Sequence, residues 1–178
     1  MSRRAVFFDR DGVVNLTPGP GYVLRWEDFH FSPGIVEALA LCRARGYATV
    51  LATSQQGVGK KLMSQADLDH IHANMQQHLK AHGAEFDGIY ACTCLKTESD
   101  CTCRKPSPEM ILRGAADLDL DVAQSLLVGD ADRDIEMGTN AGVPVTIRIE
   151  SENAHHVNAT HTLPDTTGLA SLLARLLD

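Results

Sequence analysis

The chain has 178 residues, of which 44% are hydrophobic and 22% charged, a composition typical of a globular domain with its own core. Its formal net charge of -7 argues against nucleic acid or an anionic membrane as the main partner. No apolar run approaches the about 20 residues that span a bilayer. Residues 1–4 lead straight into an apolar stretch and leave no room for a signal peptide. We therefore expect a cytoplasmic protein with one domain over residues 1–178.

The N-terminal stretch 5–8 is a short apolar run that predicts a buried strand. Asp9, Asp11 and Gly12 follow it. A chain that leaves a strand at Asp9 can turn both carboxylates toward the cavity beyond the strand ends, where open α/β sheets bind ligands. Two acids there repel each other unless a cation or a proton lies between them. On spacing alone, a surface acidic pair is an equally good interpretation.

A second strand is predicted over 49–52, and it also ends in small polar residues, Thr53 and Ser54. Hydroxyls and backbone N–H groups at a strand end can bind phosphate. The run is not a P-loop, because Ser54 and Lys61 stand where that motif needs a glycine and a hydroxyl residue. A solvated turn is the alternative interpretation.

Four of the five cysteines lie within twelve residues: Cys92, Cys94, Cys101 and Cys103. Two Cys-x-Cys pairs on a short loop can supply four thiolates to a tetrahedral zinc ion, which predicts a closed, structural site. In a reducing cytosol such a cluster indicates a metal rather than disulfides. Free or oxidised thiols are the alternative. Cys42 lies in a helical pattern and is expected in the core.

Predicted strands and helices alternate along the rest of the chain. Helices are expected over 32–46, with Ser32 as N-cap, and over 64–83, with Ser64 as N-cap. A further helix begins at 107, another ends at about 141, and the last covers 167–177. Strands are expected over 86–91, 125–128 and 144–149. Residues 150–162 are polar and predict a surface excursion. His78 and His82, one helical turn apart, are expected to be exposed. The alternation predicts an α/β fold, a Rossmann-like doubly wound parallel sheet with helices on both faces.

The predicted strand ends bring several polar residues to one edge of that sheet. The first strand gives Asp9 and Asp11, the second gives Thr53 and Ser54, and the fourth gives Asp130 and Asp134, while Arg104 and Lys105 precede the helix between the third and fourth strands. Carboxylates beside one lysine suit a hard dication. They can hold Mg²⁺, and the metal and the lysine together can bind a phosphoryl group.

These residues, in this order, resemble the haloacid dehalogenase superfamily of phosphatases. The closer resemblance is to its small uncapped branch, which holds D-glycero-D-manno-heptose 1,7-bisphosphate 7-phosphatases and histidinol-phosphate phosphatases. That branch has the Asp-Arg-Asp-Gly opening of residues 9–12, the zinc loop, and the Cys-x-Cys-Arg-Lys-Pro run of residues 101–106. Residues 13–15 and 21–23 look more like the heptose enzymes. The resemblance implies no separate cap domain.

The chain departs from the branch at several positions. Cys94 stands where histidine is usual, Glu109 replaces a usual glycine, and Ala131 follows Asp130 where lysine or serine is common. After the second strand, four residues differ from the usual heptose-enzyme run: Ser54, Gln56, Lys60 and Lys61. These changes are compatible with phosphate chemistry, but they affect the identity of the substrate.

The resemblance implies a mechanism and a set of roles. Asp9 is the nucleophile that forms an aspartyl-phosphate, and Asp11 is the general acid and base. Asp9, the backbone carbonyl of Asp11, and Asp130 hold Mg²⁺, with Asp134 in support. The phosphoryl oxygens are held by Thr53, Ser54 and Lys105, while Arg104 reaches the substrate's body or second phosphate. The loop 17–22 and the zinc loop are expected to frame the pocket.

The implied activity is a Mg²⁺-dependent phosphomonoesterase of heptose biosynthesis that removes the 7-phosphate of D-glycero-D-manno-heptose 1,7-bisphosphate. The alternative is histidinol phosphate or another small sugar phosphate. Two other classes of protein share part of this pattern. A receiver-like domain has its phosphorylated Asp after the third strand, where this chain has cysteines. A zinc-knuckle nucleic-acid module is opposed by the acidic charge and the 5% aromatic content. We expect a monomer whose partner is a small phosphorylated substrate.

Overall fold

Six parallel strands form a single sheet in a computed structural model that describes residues 2–178. The strands are β1 (Ala5–Phe8), β2 (Ala48–Ser54), β3 (Gly88–Cys92), β4 (Leu126–Gly129), β5 (Val145–Ile149) and β6 (His161–Leu163). Their order across the sheet is β3-β2-β1-β4-β5-β6, and every neighbouring pair is parallel. The first strand of the chain is therefore central, with β2 on one side and β4 on the other.

Helices connect the strands and cover both faces of the sheet. They are α1 (Ile35–Ala44), α2 (Gln56–Gly59), α3 (Gln65–Lys80), α4 (Glu109–Leu118), α5 (Asp132–Ala141) and α6 (Leu169–Leu176). Short 3-10 turns lie at Trp26–Asp28, Val122–Gln124 and Thr166–Gly168. No helix in the part of the chain described here is both long and apolar enough to cross a membrane.

Alternate residues of β1 point into two separate apolar cores. Val6 and Phe8 join the core that contains Leu39 of α1, Ile71 of α3 and Leu173 of α6. On the opposite face, Ala5 and Phe7 join Ile111 of α4 and Ile135 of α5. Because a strand buried on both faces must be apolar throughout, β1 reads as a continuous hydrophobic run. The prediction of a doubly wound parallel sheet is confirmed.

Between β1 and α1 the chain forms loops and one 3-10 turn, and residues 2–178 contain no inserted cap domain. The predicted N-cap of α3 is confirmed. Ser64 Oγ accepts the backbone N–H of Asp67, whose carboxylate accepts the backbone N–H of Ser64 in return. Such a capping box satisfies two backbone donors that the helix itself cannot satisfy.

The predicted N-cap of α1 was wrong. Gly34, not Ser32, is the cap residue, with a φ of 78° that favours glycine. A Cβ at Gly34 would lie 2.9 Å from the backbone oxygen of Thr166, so the position also needs glycine for space. Ser32 is buried, and its backbone oxygen accepts the N–H of Ile35.

The interpretation of residues 150–162 as a surface excursion was incomplete, because the segment ends in a sixth strand. β6 is three residues long and pairs with β5 at the edge of the sheet. Its sequence, His-Thr-Leu, has no apolar run to reveal it. Elsewhere β2 extends two residues further than predicted, and β3 begins two residues later.

Candidate active site

The carboxyl ends of β1, β2 and β4 meet at one edge of the sheet, and this edge gathers the acidic residues. Asp9 follows β1 and Asp130 follows β4, while Asp134 lies in the first turn of α5. One carboxylate oxygen from each of these three residues lies within 4.8 Å of the others. Asp9 therefore belongs to a cluster of acids at the sheet edge, and the alternative interpretation of Asp9 and Asp11 as a surface acidic pair is wrong.

Lys105 lies beneath this cluster. Its Nζ donates to Asp9 Oδ1 at 2.8 Å and to Asp134 Oδ1 at 2.7 Å. Burial opposes the charge of Lys105, but Asp134 and Asp9 outweigh it and raise the pKa of the ammonium group. Burial likewise opposes the charge of Asp134, and Lys105 outweighs it and lowers the pKa of that carboxyl. Lys105 and Asp134 are thus held as a charged pair.

For the carboxyls of Asp9 and Asp130, burial and the neighbouring acids outweigh the nearby positive charge. Burial, then the charge of Asp134, raises the pKa of Asp9 to about 6. Burial, then Asp9 and Asp134, raises the pKa of Asp130 to about 8. Both carboxylates would be ionised at neutral pH if a divalent cation lay between them, and oxygen donors of this kind suit Mg²⁺. The donor set therefore fits the predicted metal.

Gly12 makes room for this cluster. Its φ is 88°, and a Cβ built on it would collide with the carboxylate of Asp130. Only glycine tolerates both the backbone angle and the approach. This explains physically why a glycine follows the two acids of the first strand.

Four side-chain hydrogen bonds from three residues hold the Asp11 carboxylate. On Oδ1 it accepts Arg10 Nε at 3.3 Å, Arg10 Nη2 at 3.1 Å and Asn15 Nδ2 at 2.9 Å. On Oδ2 it accepts Gln55 Nε2 at 3.1 Å. The two oxygens are therefore unequal, and Oδ2 has more free capacity for a proton or a substrate.

Arg10 and His72 are contributors that the sequence prediction missed. Arg10 is fully buried, and its Nη1 lies 3.1 Å from His72 Nε2. Burial first, and then the charge of Arg10, lowers the pKa of His72 to about 4. A neutral His72 can accept from Arg10. The place of Arg10 between two aspartates was the available signal, but the partner on α3 cannot be deduced from sequence.

Of the residues predicted to bind phosphate, Ser54 lines the cavity, whereas Thr53 and Arg104 do not. Ser54 lines the cavity above Asp9, and its hydroxyl is buried with no hydrogen-bond partner in residues 2–178. Thr53 is fully buried and accepts Gln55 Nε2 at 2.9 Å. Arg104 Nη1 is buried and, within the described chain, equally without a partner, although Arg104 does not line this cavity.

The cavity has a volume of about 270 Å³, and one wall is the loop predicted to frame it. It is lined by Asp9, Asp11, Thr17, Pro18, Gly19, Pro20, Gly21, Tyr22, Ser54, Gln56, Asp130, Ala131, Arg133 and Asn153. Arg133 and Asn153 were not predicted. A second cavity of about 670 Å³ shares five lining residues with it: Thr17, Gly19, Pro20, Asp130 and Asn153.

The loop of residues 92–103, which was predicted to bind zinc, does not frame this cavity, contrary to expectation. It leaves the sheet from β3, two strands away from β1, and lines a separate cavity of about 300 Å³. The loop packs closely against α2, because a Cβ at Gly59 would collide with the backbone oxygen of Thr93.

The four clustered cysteines converge as predicted. Their sulfurs all lie within 4.8 Å of one another, and Cys101 Sγ lies 3.7 Å from the sulfurs of both Cys92 and Cys103. Thiolates bound to one tetrahedral zinc at about 2.3 Å are about 3.8 Å apart. The structure pairs Cys92 with Cys103 and Cys94 with Cys101 as disulfides. Cys42 is buried in the core, as predicted, where burial raises the pKa of its thiol to about 12.

Comparison with known proteins agrees with this geometry. A family model described as HAD-hydrolase-like matches residues 102–166. The D-glycero-alpha-D-manno-heptose-1,7-bisphosphate 7-phosphatase of Burkholderia mallei is 39% identical over 165 residues, which cover 88% of this chain and 85% of that protein. The chain belongs to the haloacid dehalogenase-like phosphatases. The resemblance seen in the sequence is confirmed, and the protein is an enzyme of this family.

Other members of the family show the same relationship. The D-glycero-beta-D-manno-heptose-1,7-bisphosphate 7-phosphatase of Helicobacter pylori is 37% identical over 143 residues, covering 80% of this chain and 81% of that one. A solved D,D-heptose 1,7-bisphosphate phosphatase from B. bronchiseptica, complexed with magnesium and phosphate, superimposes with a TM-score of 0.87 at 29% identity. That match covers 97% of this chain and 98% of the other.

Proposed function

We propose that this haloacid dehalogenase-like phosphatase removes the 7-phosphate of D-glycero-D-manno-heptose 1,7-bisphosphate through an aspartyl-phosphate at Asp9. The observation that carries the proposal is the position of Asp9. It lies at the cavity floor with Lys105 Nζ at 2.8 Å from Oδ1, and with Asp130 close by. Because Lys105 occupies Oδ1, the second oxygen of Asp9 is the one available to attack phosphorus.

Asp11 would serve both halves of the reaction. As Asp9 attacks, the bond from phosphorus to the sugar oxygen breaks, and that oxygen takes a proton from Asp11. A water molecule then attacks the phosphorus and gives its proton to Asp11, which releases phosphate and regenerates the Asp9 carboxylate. The hydrogen bonds from Arg10 and Asn15 occupy Oδ1 of Asp11, which leaves Oδ2 as the oxygen that carries the proton.

Asp9, Asp130 and the backbone carbonyl of Asp11 would hold Mg²⁺, with Asp134 in support through Lys105. The metal, when bound, supplies positive charge to the phosphoryl oxygens. Two raised carboxyl pKa values in one cluster support the assignment.

Phosphoryl oxygens need donors that the protein does not use itself. The buried, unpartnered Ser54 hydroxyl meets this requirement, and the Lys105 ammonium has a third N–H besides the two that it donates to Asp9 and Asp134. Thr53 lies buried beside Ser54 in β2. Arg104, whose unpartnered Nη1 is buried and does not line this cavity, would have to turn toward the substrate to add a hydrogen bond.

The cysteine cluster would bind one structural zinc ion. Three of the sulfur separations, at 3.7 Å, match the edge of a thiolate tetrahedron. The disulfides Cys92–Cys103 and Cys94–Cys101 would have to be reduced before the four sulfurs could bind the ion. A thiolate site also suits the reducing cytoplasm, where we place the protein as a monomer of one domain. Its net charge of -7 argues against nucleic acid or an anionic membrane as its partner. The small phosphorylated partner proposed here follows from the site at Asp9.

The substrate rests on the names of the relatives, which include heptose bisphosphate phosphatases of both anomers. The deciding experiment measures kcat/KM for D-glycero-D-manno-heptose 1,7-bisphosphate and for histidinol phosphate side by side, with each anomer of the heptose. We expect a clear preference for the heptose bisphosphate, and a product that retains its 1-phosphate by phosphorus NMR. A preference for histidinol phosphate, or release of the 1-phosphate, would refute the proposal.

A further inference from the structure

The catalytic cavity has an uneven distribution of charge. Asp9, Asp11 and Asp130 place three carboxylates on its wall, and Arg133 is the sole cationic residue among those that line it. Lys105 is buried below and is committed to Asp9 and Asp134. A substrate that carries one phosphate to Asp9 and another elsewhere therefore meets only one free positive charge in this cavity.

Arg133 is free because its acidic neighbours are engaged elsewhere. Asp132 Oδ1 accepts Arg148 Nη2 at 2.6 Å, and its carboxylate also accepts the backbone N–H groups of His156 and Val157. Asp134 accepts Lys105 and two backbone N–H groups. Arg133 itself is exposed and forms no ion pair or hydrogen bond through its side chain with any part of the chain that the structure describes.

The backbone of Arg133 is nevertheless held beside the site. It lies in the first turn of α5, directly between Asp132 and Asp134, and Asp134 is anchored to the catalytic cluster.

Arg104, the arginine that the sequence favoured for a second phosphate, is placed differently. It lines none of the three cavities described above, and its Nη1 is buried. An exposed guanidinium on the cavity wall is better placed for an anionic group at the far end of a substrate, and it can bind phosphate with two parallel hydrogen bonds.

We propose that Arg133 is a specificity-determining residue that binds the non-reacting phosphate of a sugar bisphosphate while the other phosphate lies at Asp9. The inference rests on the proposed function and adds the source of its substrate preference. The same positive charge repels the ammonium of an amino-alcohol phosphate, so one residue would both favour bisphosphates and disfavour histidinol phosphate.

The test compares two substrates that differ by one phosphate. Arg133→Ala should lower kcat/KM on heptose 1,7-bisphosphate about tenfold, mainly through KM, with a much smaller loss on heptose 7-phosphate. Arg133→Lys should recover part of the loss, and Arg133→Glu should deepen it. Arg175→Ala removes an exposed arginine from α6 and should change neither value. Equal losses on the two substrates, or no loss on the bisphosphate, would overturn the proposal.

A second measurement separates this inference from the proposed function. If the wild-type enzyme fails to hydrolyse the heptose bisphosphate, the proposed function fails, and Arg133 is then tested by inhibition of p-nitrophenyl phosphate turnover. Fructose 1,6-bisphosphate should inhibit the wild type more strongly than fructose 6-phosphate does, and Arg133→Ala should abolish the difference. A difference that survives in the variant, or that the wild type lacks, would refute the role of Arg133.

Discussion

Lys105 Nζ lies 2.7 Å from Asp134 Oδ1, and both side chains are only 1% exposed. Breaking a buried pair from one side leaves a charge without compensation. Lys105→Met should therefore lower the free energy of unfolding by about 3 kcal/mol, measured by urea denaturation, and should also abolish turnover. Lys80→Met, at an exposed site on α3, is the control. A loss of stability no greater than in the control would contradict a charged pair.

Asp9→Asn should reduce turnover more than about a thousandfold, because an amide cannot attack phosphorus. The fold should remain, since the substitution removes one of several crowded carboxylates. Asp11→Asn should lose most activity and accumulate phospho-enzyme, detected by intact-protein mass spectrometry. Activity of Asp9→Asn near that of the wild type would show that the covalent mechanism is wrong.

Chelated enzyme should be inactive and should recover on addition of Mg²⁺. Asp130→Ala should raise the Mg²⁺ concentration for half-maximal activity by more than about tenfold, since even groups outside the ligand shell commonly cost this much. Asp69→Asn, an exposed change on α3, should leave that concentration unaltered. Full activity in excess chelator, with no magnesium present by elemental analysis, would rule out the metal.

The cysteine cluster should bind about one zinc per chain by elemental analysis. In denaturant with chelator and no reductant, a zinc protein should expose all five thiols, whereas two disulfides would leave only that of Cys42. Cys101→Ser should lower Tm and activity together, because the loop leads directly into Arg104 and Lys105. Metal-free protein with one reactive thiol and normal activity would disprove the zinc site.

His72 should make the fold sensitive to acid. Burial and Arg10 lower its pKa from 6.5 to about 4 in the folded state, although Asp11 and Asp69 act in the opposite direction. Between those two pH values the unfolded chain binds the extra proton, so stability should fall as pH drops from 6.5 toward 4. His72→Gln keeps a group that can accept from Arg10 but does not titrate, and should flatten this part of the pH–stability curve. Identical slopes for the wild type and the variant would exclude His72 as the cause.

Local sequence rules predicted what depends on local contacts. The strand before Asp9, the cap at Ser64 and the buried Cys42 followed from apolar runs and capping chemistry, and the strand-end rule placed Asp9 and Asp130 together. Rules of this kind could not predict the role of Arg10, whose buried side chain contacts His72, 62 residues away. Arg133 was equally hidden, because an arginine in the first turn of a helix normally faces solvent.

Two further errors have physical reasons. Gly34 caps α1 because the turn at Thr166 approaches it closely, and that contact joins residues far apart in the chain. β6 takes its hydrogen bonds from β5, and three residues of mixed polarity carry no periodic signal.

The central position of β1 has a consequence for synthesis of the protein. β1 is made first, but one of its two hydrogen-bonding edges belongs to β4, whose residues emerge more than a hundred positions later. Until then a strand of four apolar residues has an open edge that other chains can pair with. Asp9 and its partners at 105, 130 and 134 therefore exist as a site only after residue 134 has left the ribosome.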